Sequence, residues 1–248
     1  MDHGRDLEGK TALVTGSGRN IGRAILLEFA ARGANVIINT RANHVEAEAV
    51  ATEARALGVD VFVALGDVGD QDTVRGIISD AQQRLGAIDI YVSNVGTRPY
   101  RDALEVSAGE WDRALATNLD APLYLAQAIV PSMIERGWGR IIHIGGGFRV
   151  ASGKIHTLTG KSALIGLTKA LAADFGHYGI TVNLVAPAAL RRTGGRSEGP
   201  PSSGYDAVPV GRWGTFEDVA WACAFLVAER SSFITGQILH VNGGRTMP

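Results

Sequence analysis

The sequence predicts an α/β fold: one doubly wound domain with a seven-stranded parallel sheet and helices on both faces. Three observations predict it. Short apolar runs alternate with segments of helical period along the chain. The runs are rich in β-branched residues and apolar on both faces, which suits strands covered on both sides. No internal linker interrupts the alternation, so residues 1–248 read as one domain. Repeated strand–helix–strand units then give parallel neighbours through right-handed crossovers.

Taken in order, strands are expected near 11–15, 35–39, 59–64, 88–93, 139–145, 180–185 and 237–241. Their runs include VIIN, IDIYVS, GRIIHIG and ITVNLVA. Helical patterns lie between them near 20–32, 43–57, 70–84, 103–116, 118–136, 155–177 and 216–228. The segment 191–211 breaks the pattern. It is rich in Gly, Ser and Pro and cannot build a core, so it reads as a substrate lid or a disordered loop.

Composition narrows the function classes. Hydrophobic residues make up 46% of the chain, enough for a sizeable core, and the 32 glycines are dispersed, which excludes a collagen-like repeat. A net charge of −1 provides no field for nucleic acid or an anionic membrane. No apolar run approaches a membrane span, and the polar start MDHGRDLEGK lacks a signal-peptide core. Cys223 is the only cysteine, so no internal disulfide can form. A cytoplasmic protein without nucleic-acid, membrane or metal partners is expected.

The first strand runs into Thr15-Gly16-Ser17-Gly18-Arg19-Asn20-Ile21-Gly22 and then a helix. Glycines at this spacing allow a tight turn and close approach of backbone to a pyrophosphate. The helix N-terminus then offers free N–H groups and a positive partial charge. Gly16, Ser17, Arg19, Asn20, Ile21 and Gly22 are therefore candidate nucleotide contacts.

On these residues and on later motifs the chain resembles the short-chain dehydrogenases/reductases, over nearly its whole length. The 3-oxoacyl-carrier-protein reductase branch is the most similar. The resemblance implies a Rossmann domain that binds NAD(P). Asn20 stands where that family usually has glycine or alanine, a mild departure because Asn tolerates left-handed backbone. Asp67-Val68 matches the pair that contacts adenine. Asn94-Val95-Gly96, after Ser93, matches the segment at the sheet centre beside the cofactor. Pro187 opens the turn that cradles the nicotinamide amide, although Ala188 replaces a glycine there. NAD sites place a carboxylate after the second strand. Here that stretch is Asn39-Thr40-Arg41. Thr40 and Arg41, with Arg19, suit a 2′-phosphate, so NADPH is expected over NADH.

The resemblance also implies a catalytic set of Asn, Ser, Tyr and Lys. Lys161 and Asn118 match two members. Pro122 supports Asn118 independently: it has no N–H to bond the carbonyl four residues back, leaving that carbonyl for a water. The tyrosine position, four before Lys161, holds Thr157, and the serine position holds Gly146. An aliphatic hydroxyl is a far weaker acid than a phenol, whose pKa is about 10. His156 is the substitute proton donor expected from sequence, provided that the first helical turn lets it reach inward. Arg98 and Tyr100 are placed to line a substrate pocket, with Tyr205 in the lid above it. Arg191, Arg192 and Arg196 could attract an anionic substrate.

The leading expectation is an NADP-dependent oxidoreductase acting on a carbonyl or secondary alcohol by an altered proton route. Two alternatives stand beside it: a catalytically silent nucleotide-binding scaffold or regulator, and non-redox elimination or dehydration in the same cleft. The aromatic C-terminal segment, with Trp213, Phe216, Trp221 and Phe225, is expected to form a homotetramer or at least a homodimer.

Overall fold

A computed structural model describes residues 4–146, 152–188, 190–191 and 208–247. Seven strands form one parallel sheet: β1 Thr11–Thr15, β2 Asn35–Thr40, β3 Val61–Leu65, β4 Ile90–Ser93, β5 Gly139–Ile144, β6 Ile180–Pro187 and β7 Ile238–Val241. Their spatial order is β3-β2-β1-β4-β5-β6-β7. The order reverses between β1 and β4, so a crevice opens beyond the carboxyl ends of those two strands.

Side-chain alternation builds two core layers. One face carries Val14, Ile38, Val92 and Val185 and packs against α1 (Asn20–Ala31), α2 (His44–Arg55) and α7 (Phe216–Val227). The other carries Leu13, Ile37, Tyr91, Ile141 and Val182. It packs against α3 (Gln71–Leu85), α5 (Ala121–Arg136) and α6 (Ile155–Phe175). Neighbouring residues such as Leu13 and Val14 thus face opposite layers, and both must be apolar.

The sequence expectation and the fold differ mainly between residues 103 and 121. The α4 helix runs only from Ala108 to Leu115, because Ser107 and Glu110 form a capping box that starts it there. Residues Ala103–Glu105 form a separate 3-10 turn. The gap expected near residue 117 does not exist: α4 continues through a π-helical turn, Ala116–Asp120, into α5. There the Ala121 N–H donates to the Ala116 carbonyl, five residues back. Pro122 explains the wide turn, since its ring cannot continue the ordinary ladder. Residues 192–207, most of the expected lid, lie outside the described residues, as does Tyr205.

Candidate active site

The glycine turn after β1 leads into α1 without a side-chain cap and without an acidic residue in its first turn. By contrast, α2, α3, α4 and α7 are capped by Asn43, Asp70, Ser107 and Thr215. The first N–H groups of α1 are thus left for an anion. Asn20 takes φ +51, the left-handed region, as its side chain tolerates. Gly22 permits the close packing of helix on turn: a Cβ there would lie 2.4 Å from the Gly16 carbonyl oxygen.

Asn94 ties this turn to the sheet centre. Its amide donates to the carbonyls of Thr15 and Gly16 at 2.9 and 3.2 Å, and its N–H donates to the Thr15 hydroxyl. Ser17 is turned inward instead. It is fully buried, and its hydroxyl accepts from the Asn39 N–H.

A cleft of about 540 Å³ lies over the switch point and collects Gly16, Arg19, Asn20, Ile21, Asn94, Val95, Gly96, Lys161 and Pro187. Leu190, from the turn that Pro187 opens, also lines it, as does Phe216, which sequence reading did not place at the site. Leu190 bridges to Gly214, and Phe216 begins α7. The chain at Leu190 and the start of α7 therefore meet beside the cleft. Phe216 was expected at a subunit interface and turns into the cleft instead.

Arg41 and Asp67 line a separate hollow of about 500 Å³. Asp67 accepts from the Gly69 N–H at 2.9 Å and stands 3.9 Å from Arg41. Arg19 stands 3.8 Å from Glu46. Each of the two arginines expected at a 2′-phosphate thus has a carboxylate beside it. Val68 is buried, and the Thr40 hydroxyl donates to the Asn43 carbonyl.

The catalytic candidates divide. Lys161 is 6% exposed, and its ammonium donates to the Ile144 carbonyl at 2.7 Å. Burial, and then the Arg98 charge, lowers its pKa from 10.5 to about 8. Asn118 lies on the π-turn, and its amide clamps Thr97. Its Oδ1 accepts from the Thr97 N–H, and its Nδ2 donates to the Thr97 carbonyl and hydroxyl. Asn118 and Lys161 meet at Gly96, where a Cβ would lie 3.1 Å from Asn118 Oδ1 and 3.4 Å from Lys161 Nζ. Beneath them His143 is buried with Nδ1 2.9 Å from the Thr168 hydroxyl. Burial and then the Lys161 charge push its pKa down to about 3, so it is neutral at physiological pH.

His156 does not join them. It is fully buried beside Trp111, with ring centroids 6.0 Å apart, and lines neither the cleft nor the smaller pocket next to Lys161. The first turn of α6 is regular at this residue, so helical phase carries its ring away from the face of Lys161.

Thr157 does occupy that face. It is 8% exposed, and its hydroxyl has no partner among the described residues. Together with Gly146 and Lys161 it lines a pocket of about 180 Å³. Gly146 has φ +111, and a Cβ on it would lie 3.0 Å from the Pro187 carbonyl oxygen. The backbone there is built for glycine, and a serine could not simply be put back.

A parallel sheet with its switch point at β1/β4, an uncapped glycine turn and a buried lysine in the crevice define a dinucleotide-binding oxidoreductase of the doubly wound class. Residues 16–246 match the family model described as enoyl-(acyl carrier protein) reductase. The chain is 36% identical to the 3-oxoacyl-[acyl-carrier-protein] reductase FabG of Staphylococcus aureus, over 96% of this chain and 98% of that protein. It is 35% identical to the protein of the same name from Escherichia coli, over 98% and 99%. A gluconate 5-dehydrogenase from Burkholderia cenocepacia, solved with NADP and tartrate, superposes with a TM-score of 0.86 at 33% identity, covering 96% of each chain. A blue fluorescent protein from a metagenomic library, solved with NADPH, gives 0.89 at 32% identity, covering 98% of this chain and all of that one. The chain belongs to the short-chain dehydrogenase/reductase family.

Proposed function

We propose that this protein is an NADP(H)-dependent reductase or dehydrogenase of a small carbonyl or secondary alcohol, with Lys161 in place of a tyrosine as proton donor. The observation that carries this reading is a buried ammonium lining both the dinucleotide cleft and the adjoining small pocket. The residues fit the cofactor. The free N–H groups of α1 suit its pyrophosphate, and Gly16 and Gly22 allow that approach. Asn94, Val95 and Gly96 wall the cleft at the sheet centre. Lys161 and Pro187 stand where the nicotinamide half would lie. NADP(H) is favoured because the stretch at the end of β2, Asn39-Thr40-Arg41, has no acid for the ribose hydroxyls. The complexes of two relatives with NADP and NADPH point the same way.

The bound nicotinamide would supply the hydride to the carbonyl carbon. Lys161 would supply the proton to the carbonyl oxygen and recover its own from solvent. Its pKa of about 8 is near enough to neutrality for transfer, where an ordinary lysine is not. Asn118 holds Thr97 and approaches Gly96 beside Lys161. Thr157 offers a hydroxyl that orients but does not acidify. The exposed aromatics of α7 support a homotetramer or homodimer.

The test is NADPH oxidation on a panel of small ketones, keto acids and aldehydes, alongside fluorescence titration of NADPH. Turnover whose rate falls as pH rises through about 8 supports the reading, the pH following from the lowered Lys161 value. Tight NADPH binding without any turnover would establish a silent scaffold instead. Substrate loss without change at the nicotinamide absorbance would establish elimination chemistry.

A further inference from the structure

The small pocket beside Lys161 has a chemistry of its own. Its lining includes Arg98, Tyr100, Lys154, Thr157, Leu158 and Lys161. Three are cationic, and no carboxylate lines the pocket among the described residues. The three cations come from separate places: the loop after β4, the residue before α6, and the second turn of α6. Like charges brought together in this way repel. Arg98 contributes to the lowering of the Lys161 pKa, an unfavourable contact that an anion between them would relieve. The Thr157 hydroxyl is buried and has no partner among the described residues, a donor position at the same pocket that a ligand oxygen would satisfy. Lys161 uses one of its three N–H donors on the Ile144 carbonyl.

Shape completes the argument. Gly146 leaves its side of the pocket without a side chain, and Leu158 with the Tyr100 ring gives an apolar wall. The ring lies against Gly153, where a Cβ would come within 2.5 Å of it. The volume of about 180 Å³ is roughly that of six waters, room for a compact molecule rather than a long acyl chain.

We propose that this pocket binds the carboxylate of a small keto or hydroxy acid, held by Arg98 and Lys154 with a hydrogen bond from the Thr157 hydroxyl. The substrate of this chain is then a free acid, unlike the carrier-bound acyl groups for which its curated relatives are named. That it is a substrate rests on the reductase reading. That the pocket binds it does not.

The experiment separates the two. Isothermal titration of the full-length chain compares acetoacetate with its neutral ethyl ester and with inorganic phosphate. Acetoacetate is expected to bind at least about tenfold more tightly than the ester, the worth of one good charge-assisted contact. Lys154→Gln should remove about that factor, and Lys154→Arg should retain it. Lys154 is exposed at the start of α6, so neither change threatens the fold. Equal binding of ester and acid, or no effect of Lys154→Gln, overturns the proposal. Phosphate binding as tightly as acetoacetate overturns the carboxylate assignment and leaves a general anion site. Calorimetry reads binding without hydride transfer. Charge-selective binding with no NADPH oxidation would therefore refute the reductase reading alone. Turnover that prefers the ester would refute the carboxylate pocket alone.

Discussion

At residue scale the site turns on two substitutions that are not equivalent. Thr157 keeps the position and the face of the missing phenol, and the pocket beside it has room. Thr157→Tyr would place a phenol next to the Lys161 ammonium, which would lower its pKa. For a small neutral ketone, which makes no use of the carboxylate contacts, a rise in the reduction rate of about 10²-fold is expected, the usual weight of a general acid. Gly146→Ser is different. With φ +111 and the Pro187 carbonyl 3.0 Å from the new Cβ, it should cost about 1–3 kcal/mol. Thermal denaturation would register this as a lower Tm, and combining the two changes should bring less activity than Thr157→Tyr alone. A Gly146→Ser protein as stable as its parent would show that the turn can relax.

Lys161 gives a second residue-scale prediction, with a sign. Its pKa lies near 8, so its charge is held below that pH and lost above it. The groups facing it are Arg98, whose charge is constant, and His143, already neutral. NADPH affinity should therefore weaken as pH rises through about 8, and Lys161→Met should remove that dependence, binding more weakly than the parent below that pH. A pH-independent affinity in the parent would mean that the ammonium does not touch the cofactor. His156→Leu tests the other candidate. It should leave kcat within a few-fold of the parent, because the ring lies outside both cavities. A loss of 10²-fold or more, the scale of a missing general acid, would return the proton to histidine.

At the scale of elements, most of the sheet was legible in the sequence because β-branched apolar runs of strand length have few other uses in such an alternation. The strand limits moved by a residue or two, as at β3, which begins at Val61 rather than 59. The α4–α5 region was less legible for a physical reason. The Ser107–Glu110 box was present, but helical period upstream of it hid the start. A π-turn has no residue signature beyond the proline that requires it. At the site, local motifs identified the glycine turn and Lys161. Phe216 and Lys154 carry no such signal, since they reach the cavities only because distant segments converge. Helical phase could have excluded His156, which stands one residue from the Thr157 face. The packing of α6 on the π-turn is itself testable. A Cβ at Gly160 would lie 2.8 Å from Asn118 Cβ. Gly160→Val should separate the two elements and destabilise the fold by about 1–3 kcal/mol, the range for overpacking a close contact, measured as a shift in the urea midpoint.

At the scale of the molecule, the question is what covers α7. Its inner face is core: Val219, Ala220, Cys223, Ala224 and Val227 are buried against the sheet and α1. Its outer face exposes Trp221 at 55% and Phe225 at 45%. These two are four residues apart and therefore adjacent on the helix surface. Phe233, just beyond the helix, is fully exposed as well. Scattered apolar residues on a surface need no explanation, but paired large aromatics on one helix face form a patch of the kind that anchors subunits. A second copy of the chain is the covering we expect for this patch. Static light scattering at micromolar concentration should give a tetramer or a dimer. Trp221→Glu with Phe225→Glu would place two carboxylates in that contact and should lower the assembly by at least one step. The cleft lies at the carboxyl ends of the strands, at the start of α7 rather than along its outer face. NADPH binding should accordingly persist in the dissociated variant. A parent that is monomeric at that concentration would end the interface reading. A dissociated variant that also lost NADPH would mean that assembly, and not the fold of one chain, holds the cleft in shape.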